Sequence, residues 1–183
     1  MRNLLIIIGL PFLVIAVHGT WQRYNPARLT FASYTPPDAK HAVATVIPIK
    51  IGIPTVGIDV PVFPSEKVGT KWETTTNGAS YVLSSPLPGE KGNSIFYGHN
   101  FRNIFGTLYK AKVGDKITVI FSDETKKSFR VTGTAVVTPD TVSILKGSEK
   151  RQITIYTCYG LLDEKRFVVT GELIEKELPV EEK

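Results

Sequence analysis

The chain has one cysteine, Cys158, which ends the stretch Gln152-Ile153-Thr154-Ile155-Tyr156-Thr157-Cys158. With no intramolecular disulfide partner, it is either a reactive thiol or an inert packed residue. A thiolate is a strong nucleophile when a base or a positive charge stands beside it. Three histidines are present. His18 ends an apolar run and His41 sits in a proline-containing stretch, whereas His99 follows a strand-like segment in the body of the chain. A Cys158–His99 pair would perform acyl transfer if the fold joins the two strand ends. Arg166 opens an apolar segment eight residues after Cys158. That spacing lets it face Cys158 across an antiparallel pair, where a guanidinium would stabilise a thiolate or a developing oxyanion. Taken singly, each residue also has an ordinary role: packed thiol, turn histidine, edge arginine.

Other chemistries find less support. One cysteine and one usable histidine, without H-x-x-H or C-x-x-C spacing, fall short of a zinc set. No glycine-rich loop leads into a helix through Lys-Ser or Lys-Thr, so a phosphate cradle is absent. Asp59 and the pair Asp163-Glu164 are candidate carboxylates for acid–base work, and solvated surface acids are the simpler reading of both. The formal charge of +5 is spread thinly and forms no dense basic tract, which argues against nucleic acid as a partner.

The elements that must position these groups are short and β-like. Val46–Ile53, Val56–Val62, Tyr81–Ser84, Ser94–Asn100, Lys116–Phe121, Lys127–Thr138, Gln152–Tyr159 and Arg166–Ile174 read as strands. Pro61 marks an edge or a strand end, Asn77-Gly78 a turn, and Gly133 a bend or bulge. Phe101–Lys112 carries apolar residues at helical spacing and is expected to be a short helix. Eight short strands with little helix predict an antiparallel β-barrel or sandwich.

Ahead of them, Leu4–Val17 is an uninterrupted apolar run, preceded by Arg2 and followed by the interfacial residues Trp21 and Tyr24. A membrane anchor over residues 1–21 and a cleaved signal peptide both fit such a run; Val17-His18-Gly19 is a poor cleavage pattern and favours the uncleaved anchor, with the body on the extracytoplasmic side. Residues 22–44 read as a linker that holds the domain off the membrane, with a short helix near Pro26–Tyr34. Residues 45–175 form the domain, and 176–183 a charged tail.

The ordered set of motifs resembles the sortase family. Thr154-Ile155-Tyr156-Thr157-Cys158 is similar to its T-L-x-T-C signature, with isoleucine for leucine. Gly98-His99 lies upstream and Arg166 downstream in the family's order. Ile53–Val62, Pro88–Asn93, Val113–Asp115 and Val137–Asp140 resemble further family segments, so the likeness runs from about Ile47 to Ile174. The resemblance implies a closed eight-stranded β-barrel, antiparallel or mixed in strand direction, with short helices, carried behind an N-terminal transmembrane helix. It implies a cysteine transpeptidase of the plasma membrane. Its substrates would be secreted proteins bearing an LPxTG-like C-terminal sorting signal, and its acceptor an amine on the cell wall or another protein. Cys158 would be the nucleophile, His99 the acid and base, Arg166 the group that holds the signal and the oxyanion, and Thr157 a substrate contact. No metal or cofactor is expected, since Glu73 and Glu124 do not make a calcium site. A protease that mainly hydrolyses, or a non-catalytic surface barrel, is the alternative.

Overall fold

The computed structural model describes residues 2–23, 29, 31, 46–68 and 71–174. Among these residues, runs of β-branched and aromatic types, broken by Gly, Pro and Asn, set ten strands. These are β1 Pro48–Ile53, β2 Ile58–Ser65, β3 Lys67–Val68, β4 Lys71–Trp72, β5 Ala79–Val82, β6 Gly92–Gly98, β7 Lys116–Phe121, β8 Lys126–Val137, β9 Arg151–Tyr159 and β10 Lys165–Leu173. Eight of them close into one barrel in the order β1-β2-β5-β6-β9-β10-β8-β7. These are the eight segments read as strands from the sequence. β3 and β4 form a small separate hairpin that the polar stretch before β5 did not announce.

The barrel is mixed. β2 pairs with β5, and β6 with β9, in parallel; the other neighbours are antiparallel. Period-two alternation sends each strand's side chains to two faces. Ile51, Ile53, Val60, Tyr81, Phe96, Ile117, Val119, Phe129, Ile155 and Val169 meet inside the barrel. Ile95, Tyr97, Tyr156, Cys158 and Val168 are the alternate residues of β6, β9 and β10, and they form a second buried cluster on the outer face. The expected bulge falls where predicted: β10 pairs Thr170 with Gly133 and Gly171 with Val131, so Thr132 is the extra residue.

The expected helix over Phe101–Lys112 is instead a series of tight turns ending in a single 3-10 turn at Leu108–Lys110. Its amides reach back three residues, Ile104 to Phe101 and Leu108 to Phe105, a spacing that repeats apolar residues much as an α-helix does. Gly106 packs onto the backbone of Asn100 and Phe101, where an added Cβ would come within 2.8 Å of both.

Helix α1, Arg2–Arg23, covers the apolar run and contains Pro11. Among the described residues no helix is long and apolar enough to cross a membrane. The apolar run starts in the part of α1 whose side chains lie outside the description. The tail 176–183 also lies outside it, as does the linker apart from residues 22, 23, 29 and 31.

Candidate active site

Three adjacent strands carry the three residues. β9 and β10 pair antiparallel with Arg166 directly opposite Cys158. Directly opposed residues share a face, with Cβ atoms about 4.5–5.5 Å apart. β6 flanks β9 on the other side in parallel register, with Gly98 beside Thr157. The residue that follows β6, His99, therefore leaves the sheet at the level of Cys158. The sequence spacing of eight between Cys158 and Arg166 leaves residues 160–164 as the connection between the two antiparallel strands.

Thr157 fastens this arrangement. Its hydroxyl donates to the Gly98 carbonyl at 2.8 Å, joining the end of β6 to the residue before Cys158. Alternation turns its side chain to the face opposite Cys158, so the hydroxyl acts between strands. Gly98 is needed for the same junction. A Cβ there would lie 2.9 Å from Ile104 Cγ2 and 3.0 Å from Phe105 Cδ2, in the loop folded over the strand end. The amide of Phe105 donates to the His99 carbonyl at 3.2 Å, and the imidazole stacks on Phe101 at 4.7 Å and 9°.

The electrostatics are those of a buried cluster. Cys158, His99 and Arg166 are only 5%, 4% and 3% exposed. Burial pushes the His99 imidazole below its usual 6.5, and the Asp163 carboxylate pulls it back up. Arg166 Nη1 donates to the carbonyls of Asp163 at 3.0 Å and Lys165 at 2.8 Å, which fixes the guanidinium. Asn100 Nδ2 donates to Asp163 Oδ1 at 2.8 Å. The cluster thus offers a thiol, a proton carrier whose pKa burial lowers, and a fixed cation on one face. Those are the components of nucleophilic acyl transfer.

Around Cys158 the outer face forms an aromatic floor. Tyr97 and Tyr156 stack at 5.6 Å, and Phe31 meets Tyr156 edge-on at 4.9 Å. Burial pushes the Tyr97 phenol up to about 12, so it stays protonated and hydrogen-bonds with Ser65. Asn93 ties one wall down. It accepts from Thr154 at 2.8 Å and donates to the carbonyls of Ile144 and Lys146 in the β8–β9 loop. The linker, expected to hold the domain off the membrane, places Leu29 and Phe31 in this cluster, buried on the face that holds Cys158.

The remaining candidates fall elsewhere. Asp59 pairs with Lys50 at 2.8 Å across β1 and β2, an exposed surface bridge. Glu124 sits in the β7–β8 turn with φ 65°. His18 packs near Trp21 on α1, and His41 lies outside the described residues. Among the described residues no three His, Cys, Asp or Glu side chains group as a metal site would need. Tyr97, Tyr156, Asn93 and Asn100 had no signal in the sequence beyond suiting a strand or a turn, because their roles depend on cross-strand neighbours.

The chain resembles known proteins both in sequence and in fold. The family model for the sortase domain matches residues 51–174. Sortase A of Bacillus anthracis is 33% identical over 129 residues, covering 68% of this chain and 59% of that relative. The chain therefore spans a little over half the length of this curated relative. The structure of Listeria monocytogenes sortase A superposes with a TM-score of 0.56 at 30% identity, covering 71% of this chain and 88% of that one. Clostridium perfringens sortase C, solved with the C-terminal cell wall sorting motif, gives 0.58 at 26% identity, with 69% of each chain covered. The chain belongs to the sortase family.

Proposed function

We propose that this chain is a membrane-anchored cysteine transpeptidase acting on an LPxTG-like C-terminal sorting signal, with Cys158, His99 and Arg166 as its catalytic residues. The observation that carries the reading is the cross-strand pairing of Cys158 with Arg166, with His99 beside them at the end of β6. Family membership supports it, and a sortase C relative solved with a cell wall sorting motif supports the substrate class.

In this reading Cys158 gives its thiol proton to His99 and its sulfur attacks the carbonyl carbon of the signal's threonine, so that an S–C bond forms as the oxygen takes the negative charge. Arg166 holds that oxyanion and orients the signal. The C–N bond to glycine breaks, His99 gives its proton to the leaving amine, and a thioester remains on Cys158. An acceptor amine then attacks the thioester, His99 takes the amine's proton, and the thiolate leaves. A thioester keeps enough acyl-transfer potential for an amine to compete with water. Thr157 keeps the thiol and imidazole in register, and its backbone lies where the signal would pass. No step calls on a metal or cofactor, so EDTA should leave the rate unchanged.

The apolar run of α1 is proposed as a single-pass plasma-membrane anchor, with the barrel on the extracytoplasmic side. Its partners would be secreted proteins carrying the signal and an amine of the cell wall or of another protein.

The test combines the protein with an LPxTG-type peptide and a glycine- or lysine-type amine, and separates the products. A new amide to the added amine is the expected product. Only the free acid would make the chain a hydrolase, and an uncleaved peptide with an alkylation-resistant Cys158 would make it a non-catalytic barrel.

A further inference from the structure

The turn between Cys158 and Arg166 has an unusual backbone. Within Leu161–Asp163, both Leu162 at φ 56° and Asp163 at φ 61° take the left-handed conformation, although neither is glycine. A leucine rarely adopts it. Burial does not compensate, since Leu161 and Leu162 are 81% and 72% exposed. What the conformation achieves is the placement of Asp163. Its side-chain Oδ1 accepts from Asn100 Nδ2 at 2.8 Å, and Asn100 directly follows His99. Its main-chain oxygen accepts from Arg166 Nη1 at 3.0 Å. One half-buried residue thus grips the loop that carries His99 and the guanidinium that faces Cys158. Strain kept at such a point signals a functional constraint.

We propose that Asp163 is a positioning residue for the transfer reaction: its carboxylate holds the His99 loop and its carbonyl holds Arg166, so that both stay registered over Cys158. This rests on the transpeptidase reading for its kinetic consequence, but not for the physical link itself. An ordinary turn aspartate would affect stability alone. The charged and titratable groups near His99 are Cys158 from β9, Arg166 from β10, Asp163 from the turn, and Arg102 and Lys110 around the cavity beside Asn100. Among them the Asp163 carboxylate opposes the effect of burial. Without its charge, burial acts unopposed and the imidazole loses its proton at a lower pH.

The experiment compares the full chain with Asp163→Ala, Asp163→Asn and Asp163→Glu. It measures Tm, the kcat and KM of transpeptidation, and the pH dependence of Cys158 alkylation by iodoacetamide, which needs no peptide. Asp163→Ala should lower kcat about 10-fold or more, with KM changed by less than about 2-fold, as for a lost alignment. Asp163→Asn keeps an acceptor oxygen but no charge, so the ionisation linked to His99 in the alkylation profile should move to lower pH. Asp163→Glu keeps the charge and should leave that ionisation near its wild-type position. The proposal is overturned if Asp163→Ala and Asp163→Asn keep wild-type kcat and an unshifted alkylation profile, or if they lower Tm alone. If the wild type transfers nothing, the transpeptidase reading fails, while the alkylation profiles still decide the link between Asp163 and His99.

Discussion

The chemistry proposed for Cys158 depends on what its two neighbours can supply. Arg166 is held by two main-chain carbonyls, so its fork is oriented before substrate arrives. Arg166→Ala should lower kcat by about 100- to 1,000-fold, the loss expected for one oxyanion donor, or about 3–4 kcal/mol of barrier. Arg166→Lys keeps a charge without the planar fork and should recover only part of it. Steady-state transpeptidation of both variants measures this. His99 leads to a prediction about stability. Burial lowers its folded pKa below the unfolded value near 6.5, so as pH falls the unfolded chain takes up the proton first. The sign is therefore a loss of stability on acidification, beginning near 6.5 and ending below the folded pKa. Asp123 and Asp140 also have lowered pKa values, but their window opens only below about 3.8. Thermal unfolding between pH 7.5 and 5.5 should show the wild type losing more stability than His99→Gln. An equal loss in both would contradict the sign.

At the scale of elements, the site is a junction of β6, β9 and β10, and Gly98 shows how tightly it is built. The Cβ of Gly98→Ala would press on Ile104 and Phe105, both fully buried, so the cost is overpacking of about 1–3 kcal/mol. The same displacement moves His99, so kcat should fall by more than the stability loss alone would cause. Unfolding curves measured beside initial rates test this. This junction was partly legible from residue types. The β-branched run before Cys158 and the spacing to Arg166 gave two strands of the three, and Gly98-His99 the end of the third. The parallel pairing of β6 with β9 was not legible, because it joins segments whose side chains carry no record of their partner. The helix read over Phe101–Lys112 failed for a related reason: 3-10 turns and an α-helix space apolar residues alike, and only the tertiary contact at Gly106 separates them.

Across the whole molecule, closure of the barrel converts a linear order of motifs into one site. β7 and β8 intervene in sequence between β6 and β9, yet they pack on the far side of β10 and β1, so His99 and Cys158 become neighbours. Alternation then assigns the interior to apolar residues from all eight strands and leaves the outer face of β6, β9 and β10 for the thiol and its aromatic floor. Period two was readable strand by strand, and with it the assignment of Cys158 and Ile155 to opposite faces. That the outer face would also be buried, under Leu29, Phe31, Trp72 and Leu145, was not readable. Leu29 and Phe31 stand as isolated apolar residues in a polar stretch, with no periodicity to signal packing. The central claim is that Cys158 carries the acyl group between donor and amine. Intact-mass spectrometry of the protein, quenched in acid after mixing with an LPxTG-type peptide, tests it most directly. The expected result is an adduct equal to the peptide acyl portion on Cys158, lost on adding an amine and never formed by Cys158→Ala. Amine-dependent product formation by Cys158→Ala, or an adduct that maps to another residue, would contradict it.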